Sequence, residues 1–255
     1  MFAAYSLSGM PMRSSVLGLT ALILAAAPAA AQTADDIIAR YISRVGGADR
    51  IQAATSLRRT GKFIGGGGFE AVVVQENKRP NLVREEFNLQ GMTAINAYDG
   101  KAGWKIDPFA GKKDAESLSE DEMHAILLDS DFDEPLIGYK AKGNTAEFVG
   151  TDQIEGTNVY KLKITLPNGD LRTYYMDSDS YVPIRMDETR IIRGAEQQFE
   201  TTLGDYKPVN GWLLPFSIES GRKGQDKSTV HYEKIEANVP LDARRFAKPA
   251  APKGA

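Results

Sequence analysis

From residue 56 to residue 237 the chain returns again and again to a period of two. Tyr160, Leu162, Ile164 and Leu166 alternate with Lys161, Lys163 and Thr165, and Trp212, Leu214, Phe216 and Ile218 alternate with less apolar neighbours. A chain with that pattern folds as strands that bury one face and wet the other. Turn signals punctuate it: the glycine run 65–68, Arg79-Pro80-Asn81, Asp99-Gly100, Glu155-Gly156 and Asn168-Gly169. The last is the strongest short hairpin signal a sequence can carry. Strands are predicted at 56–64, 69–76, 82–90, 92–98, 103–106, 145–154, 158–166, 171–177, 182–192, 196–206, 212–219 and 228–237. Their short connections make the sheet an antiparallel meander of about eleven strands, twelve at most.

Helical spacing interrupts the pattern twice. Thr33 and Asp36 form a capping box ahead of Ile37, Ile38, Tyr41, Ile42 and Val45, and Gly46-Gly47 stops the helix. A helical turn is expected at 48–54. After a predicted loop at 107–117, Ser119 and Glu122 form a second capping box opening a helix to Leu128. Pro135 should start a short helical piece at 136–139. So few helical residues cannot cover a flat sheet of this width, yet an alternating sheet needs one face covered. The reading that reconciles them is an α+β, mainly β chain: an incomplete antiparallel barrel with a helical lid over a hydrophobic cavity.

Composition excludes several function classes. Hydrophobic residues make up 42% and charged residues 25%, the balance of a folded globular chain. The net charge of -3 lacks the basic excess of a nucleic-acid binder. Cysteine is absent, which removes disulfides, thiolate chemistry and cysteine metal sites. The apolar run 16–31 follows Arg13 and ends in Ala29-Ala30-Ala31, the form of a cleaved secretory signal peptide at 1–31. A single domain at 32–246 and a frayed tail at 247–255 are expected to follow. An exported chain without cysteine suits a bacterial periplasm.

Catalytic signals are missing. Asp129-x-Asp131-x-Asp133 resembles the start of a calcium loop but has Glu134 where glycine is needed and Lys140 where the closing glutamate belongs. His124 reads as a partly exposed polar residue and His231 as a strand-face residue. The acids 120–122 complement the start of a helix. No catalytic residue, metal or cofactor is therefore assigned. A secreted hydrolase using the acids 120–134 is the weakest of three readings.

Tyr98-Asp-Gly-Lys-Ala-Gly-Trp104, then Pro108-Phe109-Ala-Gly-Lys-Lys113, resembles the outer-membrane lipoprotein-sorting protein family, the LolA/LolB-like superfamily. The likeness continues through the opening helix, Lys78-Arg-Pro80, Tyr181-Val-Pro-Ile184, Asp205-Tyr206-Lys207 and Leu214-Pro-Phe-Ser217. These motifs are short and structural, and their order along the chain carries the resemblance. It implies a periplasmic carrier without catalytic activity. Such a carrier holds acyl chains of lipoproteins or lipids in its cavity on the way to the outer membrane, with a membrane donor or acceptor protein as partner. The alternative is an envelope sensor or interaction module that uses the same fold to bind lipid or peptide and a membrane partner. Residue type and alternation nominate Trp104, Phe109, Trp212 and Phe216 for the cavity wall, and Met123, Ile126 and Leu127 for the lid. Arg58, Arg59 and Arg84 are open candidates for the family's cavity arginine. The protein is expected to be a monomer.

Overall fold

The structure is a computed structural model that describes residues 32–192 and 194–250. The predicted signal peptide and residues 251–255 of the predicted tail lie outside the described residues. The chain opens with helix α1 (Ala34–Arg44) and the short α2 (Ala48–Ala53). Thr33 and Asp36 cap α1 reciprocally, as their spacing predicts. Gly46 ends it at φ +129°, where an added Cβ would sit 2.4 Å from the Gly211 carbonyl oxygen. Only glycine allows the chain to turn this close to its neighbour.

Among the described residues thirteen strands follow. The first six are β1 (Ser56–Ile64), β2 (Glu70–Lys78), β3 (Leu82–Leu89), β4 (Met92–Tyr98), β5 (Gly103–Asp107) and β6 (Lys112–Ser117). Helix α3 (Glu120–Ser130) then leads to β7 (Thr145–Ile154), β8 (Thr157–Thr165), β9 (Leu171–Asp177) and β10 (Pro183–Ile192). The last three are β11 (Ala195–Val209), β12 (Trp212–Arg222) and β13 (Ser228–Ala237). All neighbours pair antiparallel in one open sheet ordered β6-β5-β4-β3-β2-β1-β13-β12-β11-β10-β9-β8-β7. The predicted mainly β, incomplete-barrel architecture is what the chain adopts.

Two local expectations change. Residues 112–117 form edge strand β6 where a loop was predicted, because Lys112, Lys113 and Asp114 hide a strand that pairs with β5 on one side only. That strand extends the sheet to thirteen. Residues 136–139 are turn instead of helix: Glu134 and Gly138 adopt positive φ, of 59° and 66°, and break any helical run.

The topology places β1 against β13 mid-sheet and leaves β6 and β7, consecutive in sequence, at opposite edges. The segment between them, carrying α3, therefore has to cross from one edge to the other. Ile126 of α3 packs with Val83 and Tyr98, and Leu118 and Met123 flank that cluster. The main core lies on the other half. There Ile37, Ile38 and Tyr41 of α1 and Val45 just after it meet Leu162, Ile164, Tyr174, Met176, Trp212 and Leu214 of the sheet. Two helices thus cover the two halves of one sheet face.

Candidate cavity beneath the crossing segment

Between α1, the end of α3 and the sheet lies a cavity of about 610 Å³. Part of its wall is apolar: Leu128, Phe132, Met186, Phe199, Leu203, Trp212, Leu213, Leu214 and Ile218. Phe132 and Trp212 stand with ring centroids 6.1 Å apart. A smaller space of about 240 Å³ adjoins it, lined by Val73, Phe87 and Ala94, and shares Gln75, Glu85, Val230 and Tyr232 with the larger one.

The rest of the wall is charged. Strand register makes two polar rows. Arg59, Gln75 and Glu85 face one another across β1, β2 and β3. Arg59 Nη1 donates to Gln75 Oε1 at 3.1 Å and to Asn77 Oδ1 at 2.7 Å, and Gln75 Nε2 donates to Glu85 Oε1 at 2.9 Å. On the other half Arg172 pairs with Glu188 across β9 and β10. Arg172 Nε lies 2.8 Å from Glu188 Oε1, and the same carboxylate also receives Arg190. The end of α3 and the segment after it bring Asp129 and Glu134 into the lining.

Enclosure sets the protonation of these groups. Burial pushes the Glu85 carboxyl up to about 8, and the nearby Asp129 charge adds to the shift. Burial pushes Asp129 up to about 6 against the pull of Arg190 and Arg172. Glu134 is raised by burial as well. Glu188 moves the other way: burial raises it, but Arg172 and Arg190 together outweigh that and hold it below the ordinary range. The tyrosines of the wall stay protonated, Tyr174 and Tyr232 each being pushed up to about 12, first by burial.

The segment that carries the acids is tied down on every side. Ser119 and Glu122 form the predicted capping box, and Glu122 also binds Lys105, which with the cap pulls its carboxyl down to about 2. His124 Nε2 lies 2.6 Å from Asp170 Oδ2 in the β8–β9 turn. Asn77 Nδ2 donates to the Asp129 carbonyl at 2.9 Å. Asp133 pairs with Arg79, whose guanidinium sits 4.4 Å over the Phe132 ring, and Asp131 is held by Lys142. Two aspartates of the calcium-like spacing, Asp131 and Asp133, therefore serve separate partners, and the third, Asp129, lines the cavity.

The structure spreads the residues nominated from sequence over several places. Trp212 lines the cavity. Phe216 is buried in the main core, with the Lys207 ammonium 4.8 Å from its ring, outside the cavity lining. Trp104 shares a cross-strand row with Ala97, Arg84, Glu76 and Arg58, one residue out of step with the Arg59 row and so on the opposite sheet face. There its Nε1 donates to the Phe246 carbonyl at 2.7 Å. Phe109 is exposed in a turn and meets Phe87 edge-on at 6.0 Å. Met123 and Ile126 fill the contact between α3 and the sheet, and Leu127 points to solvent. Leu128 and Phe132 face the cavity from this segment instead. Of the three arginines left open, Arg59 lines the cavity, while Arg58 pairs with Glu76 and Arg84 with Glu86. The charged rows had a legible signal: Glu85 alternates with Val83 and Phe87, and Arg172 with Tyr174 and Met176. Each is a charge standing in the apolar register of its strand.

No family model and no curated protein matches this chain. Solved structures do. A protein domain assigned to outer membrane lipoprotein sorting from Vibrio parahaemolyticus is 12% identical, covers 84% of this chain and 95% of its own, and superimposes with a TM-score of 0.58. A DUF1329 family protein from Desulfovibrio piger gives 12% identity, 84% and 97% coverage and a TM-score of 0.57. A LolA-superfamily protein from Nitrosomonas europaea gives 13% identity, 86% and 99% coverage and a TM-score of 0.54. The chain has the LolA-like fold, an open antiparallel half-barrel crossed by helices. At these identities it is the fold that is shared.

Proposed function

We propose that the protein is a periplasmic carrier that takes up acyl chains of lipoproteins or lipids and moves them towards the outer membrane. In this reading residues 1–31 are removed on export and residues 32–246 form one binding domain, acting as a monomer that meets a membrane donor and a membrane acceptor. The observation that carries it is the cavity itself. An open sheet whose edges never meet encloses about 610 Å³ because a tethered segment crosses it. A partly apolar cavity of that size is the usual form of a small-molecule site. Acyl chains buried along Phe132, Trp212, Leu213 and Leu214 would gain about 0.8 kcal/mol per methylene. Among the described residues no helix is long and apolar enough to cross a membrane. The LolA-like fold adds support, since relatives in fold include a domain assigned to lipoprotein sorting.

One observation favours the interaction-module reading. Phe69, Phe63, Phe87 and Phe109 form a row with centroids 5.6, 5.3 and 6.0 Å apart, and Phe69 and Phe109 are exposed. Exposed aromatic rows suit a protein partner. Native mass spectrometry of protein purified from periplasm without detergent separates the two readings. A mass excess that extracts as acyl lipid supports the carrier. Protein that stays empty after incubation with envelope lipids and acylated peptide supports the module.

A further inference from the structure

Acyl chains alone leave the cavity's charges unexplained. Buried charge is costly unless it is paired, and a hydrocarbon ligand pairs with none of it. The pairing inside the cavity is also incomplete on the cationic side. Arg190 Nε is the one buried side-chain nitrogen or oxygen among the described residues that has no hydrogen-bond partner. Glu188 serves two guanidiniums, Arg172 and Arg190. Arg59 spends its hydrogen bonds on the neutral amides of Gln75 and Asn77. The acid in its row, Glu85, is bonded to Gln75 and carries its proton at neutral pH. What the wall offers a ligand is guanidinium hydrogens of Arg59 and Arg190 that no carboxylate takes up, next to an apolar strip, with the acids Asp129, Asp131 and Glu134 in the same lining.

We infer that the cavity receives the head as well as the chain of an amphiphile, and that the head is an anion. A carboxylate, sulfonate or phosphate would sit between Arg59 on one half of the sheet and Arg172 and Arg190 on the other. The chain would then lie along Phe132, Trp212 and Leu214. Guanidinium forks suit such oxyanions because each can donate two parallel bonds. The inference rests on the carrier reading and narrows its cargo to amphiphiles with anionic heads.

Three ten-carbon probes test it by titration calorimetry on the purified protein, below their micelle concentrations: decane sulfonate, decanol and decyltrimethylammonium. The expected order is sulfonate tightest, by at least about tenfold over decanol, with the ammonium weakest. Arg59→Gln and Arg190→Gln should each weaken sulfonate about tenfold and leave decanol unchanged. Asp129→Asn should tighten sulfonate. Decanol binding reports that each variant is folded, and Arg59→Gln decides the matter if Arg190→Gln does not fold. Equal binding of sulfonate and decanol, or tightest binding of the ammonium, overturns the anionic head and leaves the carrier standing. Methanesulfonate binding as tightly as decane sulfonate overturns it too, by showing a free-anion site. Failure of all three probes overturns the carrier reading, and this inference with it.

Discussion

His124 and Asp170 fasten the crossing helix to the far half of the sheet, with Nε2 2.6 Å from a carboxylate that is 2% exposed. Asn168 braces the pair, its Nδ2 lying 3.0 Å from the same aspartate oxygen. Two residues further along α3, Ile126 is packed against Val83 and Tyr98 of the first half. The helix is thus a strap pinned at both sides of the cavity, and His124→Ala removes one pin. One hydrogen bond to a carboxylate contributes about 1–3 kcal/mol. Amides of residues 120–130 should exchange about tenfold faster or more, while those of β8 and β9 keep their protection. Unchanged exchange in α3 would show that the pin carries no load.

Glu188 should be far more costly to remove than any surface acid. Its side chain is 2% exposed and holds two guanidiniums, one of them 9% exposed. Glu188→Gln removes the one carboxylate bonded to both guanidiniums, which costs about 3–5 kcal/mol. Glu147→Ala, which breaks an exposed pair with Lys163 at 3.7 Å, should cost less than about 1 kcal/mol. Urea unfolding of the two variants makes the comparison.

How much of this could be read from the sequence differs between fold and site. Turn residues and capping boxes are local chemistry, so Thr33, Ser119, Asn168 and Gly169 announced the elements they now end or begin. Edge strand β6 was not legible, because a one-sided strand need not alternate and Lys112, Lys113 and Asp114 look like loop. The site was harder still. Trp104 and Trp212 are equally aromatic and equally buried, yet strand register puts them on opposite faces, and register depends on pairing partners far along the chain. Each charge in an apolar register was legible on its own strand, but which charges share a row was not, for a related reason. Arg59 and Glu85 lie 26 positions apart, and only the three-strand pairing through Gln75 sets them in one row.

Raised carboxyls make stability depend on pH with a definite sign. Glu85 keeps its proton in the folded chain up to about pH 8, against an ordinary value of 4.5. Between those values the folded chain binds a proton that the unfolded chain has lost. Stability is therefore greatest towards the lower value and falls as pH rises through the window, at up to about 1.4 kcal/mol per pH unit. Asp129, at about 6 against 3.8, acts in the same direction but has finished by about pH 7. The slope between pH 7 and 8 thus belongs to Glu85, with Glu134, also raised by burial, acting in the same direction. Glu85→Gln should flatten it and unfold at higher denaturant than the parent at pH 8. A parent whose stability rises from pH 6 to 8 would place an ionised Glu85 in the folded cavity.

The two tryptophans give a direct reading of where a ligand sits. Trp212 lines the cavity against Phe132, whereas Trp104 lies on the opposite sheet face with its indole N–H committed to the Phe246 carbonyl. Indole emission reports the polarity of its own surroundings, so an acyl chain that displaces water from the cavity should shift Trp212 and leave Trp104 silent. Trp104→Phe should keep the full ligand-induced change, and Trp212→Phe should lose most of it. A chain that instead bound over exposed Phe69 and Phe109 would leave both tryptophans unchanged while still registering by calorimetry. That result would move the binding site from the cavity to the aromatic row of Phe69 and Phe109.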